Sequence, residues 1–286
     1  MNRKTRTPEP PATPAMPAFT TIGLADRNGV ALLTLDRPDR HNAFDETMIA
    51  ELTQALAVIE ANPRIRAVVL LGSGESFCAG ADLAWMQRMA GFSYEENVAD
   101  ARALAHLLQA LSSLPKPTIA RIHGPVYGGG VGLVACCDIA VSAMAATFAL
   151  SEAKLGLIPA TIGPYVIEAI GARAARRYFL TAERFDAAEA YRIGLVHDIV
   201  PSLEALDERV NELLGLLMLA GPHAQAAVKA LVRAVAHRPI EERVVADTAE
   251  RIATIRATDE AREGIAAFLT RRSPAWVPEG LRKKRK

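Results

Sequence analysis

Cysteine, aromatic side chains and surplus charge are all scarce in this chain. Among 286 residues only Cys78, Cys136 and Cys137 are cysteines. An odd number with an adjacent pair makes no disulfide framework and matches no zinc spacing, so a reducing cytosol is expected. Aromatics make up 5% of the residues, and no RNA-binding aromatic motif is present. Lys and Arg number 33 against 32 Asp and Glu, so the net charge of +1 calls for no nucleic acid or acidic surface as partner. The apolar runs at 131–137 and 213–220 fall far short of the ~20 residues that span a bilayer, so no membrane role is expected. Residues 1–17 lack the apolar core of a signal peptide. Arg3, Lys4 and Arg6 hint at a transit peptide, but the prolines there oppose an amphipathic helix, and residues 1–18 read as a disordered tail. HExxH, GxSxG and P-loop motifs are absent, and the histidines lack metal-ligand spacing, so no metal is expected.

Half of the residues are hydrophobic and 23% are charged, a balance that suits a folded chain. The length fits one large domain, or a domain with an appendage, and burial of roughly 75% of the unfolded surface needs no covalent staple. Residues 20–24 and 30–35 read as strands joined by a hairpin at Asn28-Gly29. A helix follows from Asn42 or Asp45 to about Glu60, with Met48, Leu52, Leu56 and Ile59 on one face. Strands at 65–71, 116–122 and 138–142 alternate with helices that start near Asp82, near Asn97 and at about Val131. Two more strand–helix units fit between 148 and 200. This alternation predicts an α/β fold with a largely parallel sheet over residues 19–202. From 203 helical periodicity takes over, broken at Gly221-Pro222 and Pro239, so residues 203–286 are expected to form an all-helical part ending in a basic tail.

Three segments carry chemistry. Ser76-Phe77-Cys78-Ala79-Gly80-Ala81-Asp82-Leu83 leads from a buried strand into a helix, where small residues and free N–H groups suit a negative ligand atom. Gly128-Gly129-Gly130 opens the next strand-to-helix turn, and two such turns jointly supply the backbone donors of an oxyanion hole. Each also reads as plain turn chemistry. Glu152, in Leu150-Ser151-Glu152-Ala153-Lys154, stands beside an apolar run that would raise its pKa, or else is solvated or paired with Lys154. Gly130-Val131-Gly132-Leu133-Val134-Ala135 loosely fits a dinucleotide fingerprint, but the following strand leaves too short a helix for a βαβ unit. Cys136-Cys137 lies in an apolar stretch and reads as core.

In order and spacing these segments resemble the enoyl-CoA hydratase/isomerase, or crotonase, superfamily. The match runs through Leu35-Asp36-Arg37-Pro38, Asn42-Ala43-Phe44, Phe77 to Leu83, His123-Gly124 to Gly130, Cys137-Asp138-Ile139 and Glu152 to Pro159, and continues to Ala275-Trp276. The resemblance implies a spiral of ββα units with a helical C-terminal region that packs in trimers or hexamers. It implies an acyl-CoA thioester as substrate, coenzyme A being part of that substrate and no separate cofactor being needed. Its thioester oxygen would accept from the N–H groups of Ala81 and Gly129, with Glu152 as acid–base group. Arg40, His41 and the backbone of Ala79, Gly80, Asp82 and Leu83 would hold the CoA moiety, with Gly128 beside the acyl group.

One position departs from the family pattern. The best-known hydratases use two glutamates on one water, and the first falls on Gly132 here. A hydratase, or a 3-enoyl-CoA to 2-enoyl-CoA isomerase working with one base, both stay open. The wording is nearest to bacterial methylglutaconyl-CoA hydratases, whose substrates carry a distal carboxylate. That suggests room for a branched chain at Gly132 and a carboxylate partner in Arg173 or Arg177. His123, Tyr127 and Glu168 are candidate second proton donors. A non-catalytic relative, or an RNA contact through Arg282-Lys283-Lys284-Arg285-Lys286, are the remaining readings.

Overall fold

A computed structural model describes residues 18–282. The expected tail at 1–18 lies outside these but for Ala18, as do Lys283 to Lys286 of the basic end. Strands β1 (Ile22–Arg27) and β2 (Val30–Leu35) form an antiparallel hairpin. Its turn residues Asn28 and Gly29 both have positive φ, 55° and 84°, the geometry that the Asn-Gly pair favours. Asp26 closes the turn by accepting from Gly29 N–H at 2.8 Å.

Helix α1 (Glu46–Ala61) is capped by Asp45, which accepts from Met48 N–H. It buries Met48, Leu52, Leu56 and Ile59, as their spacing predicts. Then come β3 (Ala67–Gly72), α2 (Leu83–Met89), α3 (Tyr94–Ser113), β4 (Thr118–Ile122), the two-residue β5 (Val126–Tyr127), α4 (Gly129–Cys136), β6 (Ile139–Ala143) and β7 (Thr147–Ala149). The core closes with α5 (Gly163–Thr181), β8 (Phe185–Asp186), α6 (Ala187–Arg192) and β9 (Asp198–Val200).

The main sheet has the order β1-β2-β3-β4-β6-β9, and every pair after the hairpin is parallel. Alternation along the strands divides the interior in two. Leu33, Leu35, Val68, Leu70, Ala120 and Ile122 face α1, α3 and α4, whereas Val30, Ala67, Val69, Ile119 and Val141 face Leu206, Val210 and Met218 of α7 (Leu203–Leu219). A smaller sheet, β5-β7-β8, lies beside the first.

After α7 come α8 (Pro222–Val235), α9 (Glu242–Arg256) and α10 (Asp259–Leu269), with no strand among the described residues from 203 on. Pro222 starts α8 and Pro239 stands between α8 and α9, where the sequence breaks fell. Asp138 ties α8 to the sheet: one carboxylate oxygen accepts from Thr118 N–H, Thr118 Oγ1 and Lys229 Nζ at 2.6–2.9 Å. No described helix is long and apolar enough to cross a membrane.

Candidate active site

Three loops leave the carboxyl ends of the neighbouring strands β2, β3 and β4 and meet above the sheet, where parallel α/β sheets commonly bind ligands. The loop after β3 is held on both sides. Phe44 N–H donates to Gly80 O at 2.8 Å and Asp82 N–H donates to Phe44 O at 3.0 Å, so Phe44 and Ala81 form a parallel bridge. In that pattern the N–H of Ala81 itself points away from Phe44. On the far side Tyr127 N–H donates to Cys78 O at 2.9 Å, and a β-carbon on Gly80 would stand 3.0 Å from Tyr127 O. Ala81 therefore opens toward the Gly128-Gly129 turn.

Gly128 has φ 50° and ends the short strand β5. Its N–H donates to Ala149 O, and Gly129 starts α4, where a first-turn N–H has no intrahelical acceptor. The approach of neighbours explains the glycines. A β-carbon on Gly129 would lie 2.1 Å from Phe44 Cζ, and one on Gly128 would lie 3.4 Å from Glu152 Oε1. A β-carbon on Gly80 would also lie 3.7 Å from Gly128 Cα, so the turn before Ala81, the Gly128-Gly129 turn and the Glu152 carboxylate adjoin one another.

Glu152 enters this space because β7 pairs with β5, Tyr127 opposite Ala149, and the chain turns just beyond. Its carboxylate is half-buried, and Oε2 is fully buried with no hydrogen-bond partner. Burial pushes its pKa above the usual carboxylate range, opposed only by a bond to its own backbone. Lys154 is exposed and forms no ion pair with it among the described residues. Leu155, Leu157 and Ile158 follow with apolar side chains exposed, as does Leu83 beyond the Ala81 turn.

Arg37 and Phe44, which drew no role from spacing, and Asn42, a candidate helix start there although Asp45 is the cap, form the scaffold of the site. Arg37 donates to Ala43 O at 2.7 Å and reaches Asp45 and Asp82, each at 3.1 Å. Asn42 is fully buried at φ 55°: it accepts from Arg37 N–H and donates to Ser73 O and Ser76 O. His41 sits in the left-handed region, accepts from Ala79 N–H with its carbonyl and shares a 3.1 Å contact between Nδ1 and Ser76 Oγ. Arg40 is exposed, with Asp39 3.5 Å away. The Asp82 side chain is committed to Arg37 and to capping α2 through Ala84 and Trp85 N–H, so only its backbone is free to serve a ligand.

One further expectation needs correction. Gly132 offers no room: a β-carbon there would lie 2.2 Å from Ile162 Cγ2, because Ile162 already fills that volume. Arg177 is paired with Glu183 at 2.8 Å and lies over the Tyr178 ring, and Arg173 is exposed beyond the non-helical Gly171 of α5. Among the second-donor candidates, His123 bonds Gly74 O, Tyr127 bonds Thr147 Oγ1, and Glu168 borders a groove with Cys136, Lys229 and Arg233. The three thiols are buried, and burial holds Cys78 and Cys137 up at about 12. The dinucleotide-like glycines lie inside the eight-residue α4, without a nucleotide-binding βαβ setting. No cluster of metal-ligating side chains occurs among the described residues.

The enoyl-CoA hydratase/isomerase family model matches residues 25–279. A structure of an enoyl-CoA hydratase from Shewanella pealeana is 44% identical, with TM-score 0.88, over 90% of this chain and 96% of that one. AtuE of Pseudomonas aeruginosa is 37% identical, with TM-score 0.87, over 91% of this chain and 100% of that one. The crotonyl-CoA hydratase of Syntrophomonas wolfei is 31% identical, over 91% of this chain and 99% of that one.

Proposed function

The chain belongs to the enoyl-CoA hydratase/isomerase family, and from that premise we propose that it adds water to, or removes it from, a 2-enoyl-CoA thioester. The observation that carries this reading is the half-buried Glu152 carboxylate, with an unpartnered oxygen, beside the first N–H of α4.

The thioester oxygen accepts from Ala81 and Gly129 N–H. Glu152 takes a proton from water while the water oxygen bonds to C3. The C2–C3 π electrons move toward the thioester, and the charge rests on its oxygen as an enolate. The same carboxyl then returns the proton to C2. One carboxylate balances both steps, since the hydroxyl and the proton come from one water. Each oxyanion donor is worth about 3–4 kcal/mol where such donors have been removed in a protease. Leu83, Leu155 and Ile158 give the acyl and pantetheine chains apolar walls. Arg40, His41 and the 79–83 backbone would hold the CoA phosphates, and no separate cofactor enters the scheme.

The finer reading is a branched 2-enoyl-CoA with a distal carboxylate, of the methylglutaconyl type. It rests on sequence wording, because the room expected at Gly132 is filled and Arg177 is already paired. A homotrimer or hexamer is the assembly proposed, with the exposed Ile265, Phe268 and Leu269 of α10 available for contact.

The test is turnover of crotonyl-CoA, 3-methylglutaconyl-CoA and a 3-enoyl-CoA in heavy-oxygen water, read by mass spectrometry. Heavy oxygen in a 3-hydroxyacyl product supports hydration, and the preferred thioester decides the acyl group. A shifted double bond at unchanged mass replaces hydration with isomerisation by Glu152. No turnover of any thioester refutes the reading.

A further inference from the structure

Gly132 lies one helical turn past the Gly128-Gly129 start of α4, on the same face of the helix as Gly129. Its α-carbon faces Ile162, a residue thirty positions later in the loop that runs from Glu152 into α5. A β-carbon on Gly132 would stand 2.2 Å from Ile162 Cγ2 and 2.8 Å from Ile162 Cβ, and 3.6 Å from Leu108 Cδ2. Ile162 is only 2% exposed, so it has no free direction to move into. Leu108 is at ordinary contact distance and is no obstacle. The conflict is therefore between two positions only, and it includes the β-carbon of residue 162, not just the flexible end of its side chain.

We propose that Gly132 and Ile162 are a size-matched pair: the isoleucine holds the volume that any side chain at 132 would take, which keeps Glu152 the sole acid–base carboxylate and gives that side of the site an apolar wall. The packing half of this stands alone, and the chemical half rests on the function proposed above. Two consequences follow from the distances. A carboxylate cannot be restored at 132 by a single substitution, because even alanine there meets Ile162. Shortening Ile162 to alanine is not enough either, since its β-carbon is in the way, so the compensating change is Ile162→Gly.

The test is a double-mutant cycle in the full-length protein with Gly132→Ala, Gly132→Glu, Ile162→Gly and the two double variants. Overpacking typically costs enough to lower Tm by roughly 3–10 °C in Gly132→Ala and Gly132→Glu, and Ile162→Gly lowers it by a cavity of similar weight. Both double variants should melt above the sum of their single losses, the alanine pair reading the coupling should Gly132→Glu fail to fold. Additive losses, or a wild-type Tm for Gly132→Ala, would overturn the pairing. For the chemistry, the acid limb of kcat/KM should show one ionisation in the native enzyme and two in Gly132→Glu/Ile162→Gly. A folded double variant with an unchanged single limb would refute Ile162 as the residue that sets the number of carboxylates. If the native enzyme turns over no thioester, the function falls while the melting cycle still decides the packing.

Discussion

Arg37 Nη2 donates to Asp82 Oδ2 at 3.1 Å, joining the loop after β2 to the helix that starts beside Ala81. The same guanidinium serves Ala43 O and Asp45, and the Arg37 and Asp82 side chains are 18% and 7% exposed. Asp82 is held below its ordinary pKa by Trp85 and Ala84 N–H and by Arg37, against the effect of burial. The N–H of Asp82 also donates to Phe44 O, so this brace and the Phe44 bridge both flank Ala81.

Arg37→Ala should lower stability by about 1.5–3 kcal/mol, the usual range for hydrogen bonds to a charged group, because Asp82 Oδ2 and Asp45 lose their guanidinium partner. Arg37→Lys should restore little of it, since a point charge cannot serve three acceptors in a fixed fork. Urea midpoints measure this. Turnover should fall along with stability as Ala81 N–H loses its aim. A wild-type midpoint for Arg37→Ala would show that the brace carries no strain-bearing role.

Much of this arrangement is legible in the sequence. The Asn28-Gly29 hairpin, the start of a helix at Asp82, and the breaks at Gly221-Pro222 and Pro239 follow from local chemistry, and local chemistry survives folding. The apolar run before Glu152 announces a desolvated carboxylate for the same reason. What stays hidden depends on partners far along the chain. Whether a glycine marks open space or a tight contact is decided by its neighbour, and for Gly132 that neighbour is thirty residues away in an unremarkable apolar stretch. Asn42 and Arg37 look like loop residues because their acceptors, Ser73 O, Ser76 O and Asp82, come from another loop. Strands β5 and β8, of two residues each, are too short for any period to show.

The cysteines give a direct check on the core. Burial raises all three thiol pKa values, Cys78 and Cys137 to about 12, so almost no thiolate forms at pH 8. An aromatic disulfide reagent should find no fast-reacting thiol in the native protein and three after denaturation. A fast native equivalent would mean that one of them reaches solvent.

Gly129→Ala tests the backbone donor. Its β-carbon would lie 2.1 Å from Phe44 Cζ, and the ring is 1% exposed with Trp85 6.2 Å away, so the start of α4 must move instead. A displaced N–H should cost about 10²–10³ in kcat with a smaller change in KM. The comparison is Gly215→Ala in α7, where a β-carbon meets nothing within 4 Å. That change should stabilise the helix by roughly 0.5–1 kcal/mol and leave turnover alone. Equal activity in the two variants would remove Gly129 from the oxyanion site.

Glu152 makes the sharpest case, because activity and stability should move in opposite directions. Burial raises its folded-state pKa. Below the unfolded value, about 4.3 for glutamate, both states hold the proton and the residue is neutral toward stability. As pH rises past that value the unfolded chain ionises first, so stability falls until pH passes the raised folded value, and the deficit then stays constant. Glu152→Gln removes the buried charge. Its melting temperature should match the native protein near pH 4 and exceed it at pH 7–8. Turnover should drop about 10²–10⁴-fold, the usual weight of a positioned acid–base group. In the native enzyme kcat/KM should fall as pH drops through the raised value, above the ordinary glutamate range. Melting curves of both proteins across pH 4–8, set beside the pH–rate profile, make the check. A variant that is less stable at pH 8 than the native protein would mean that the buried oxygen has a partner when folded, and the carboxylate would then not be poised to accept a proton.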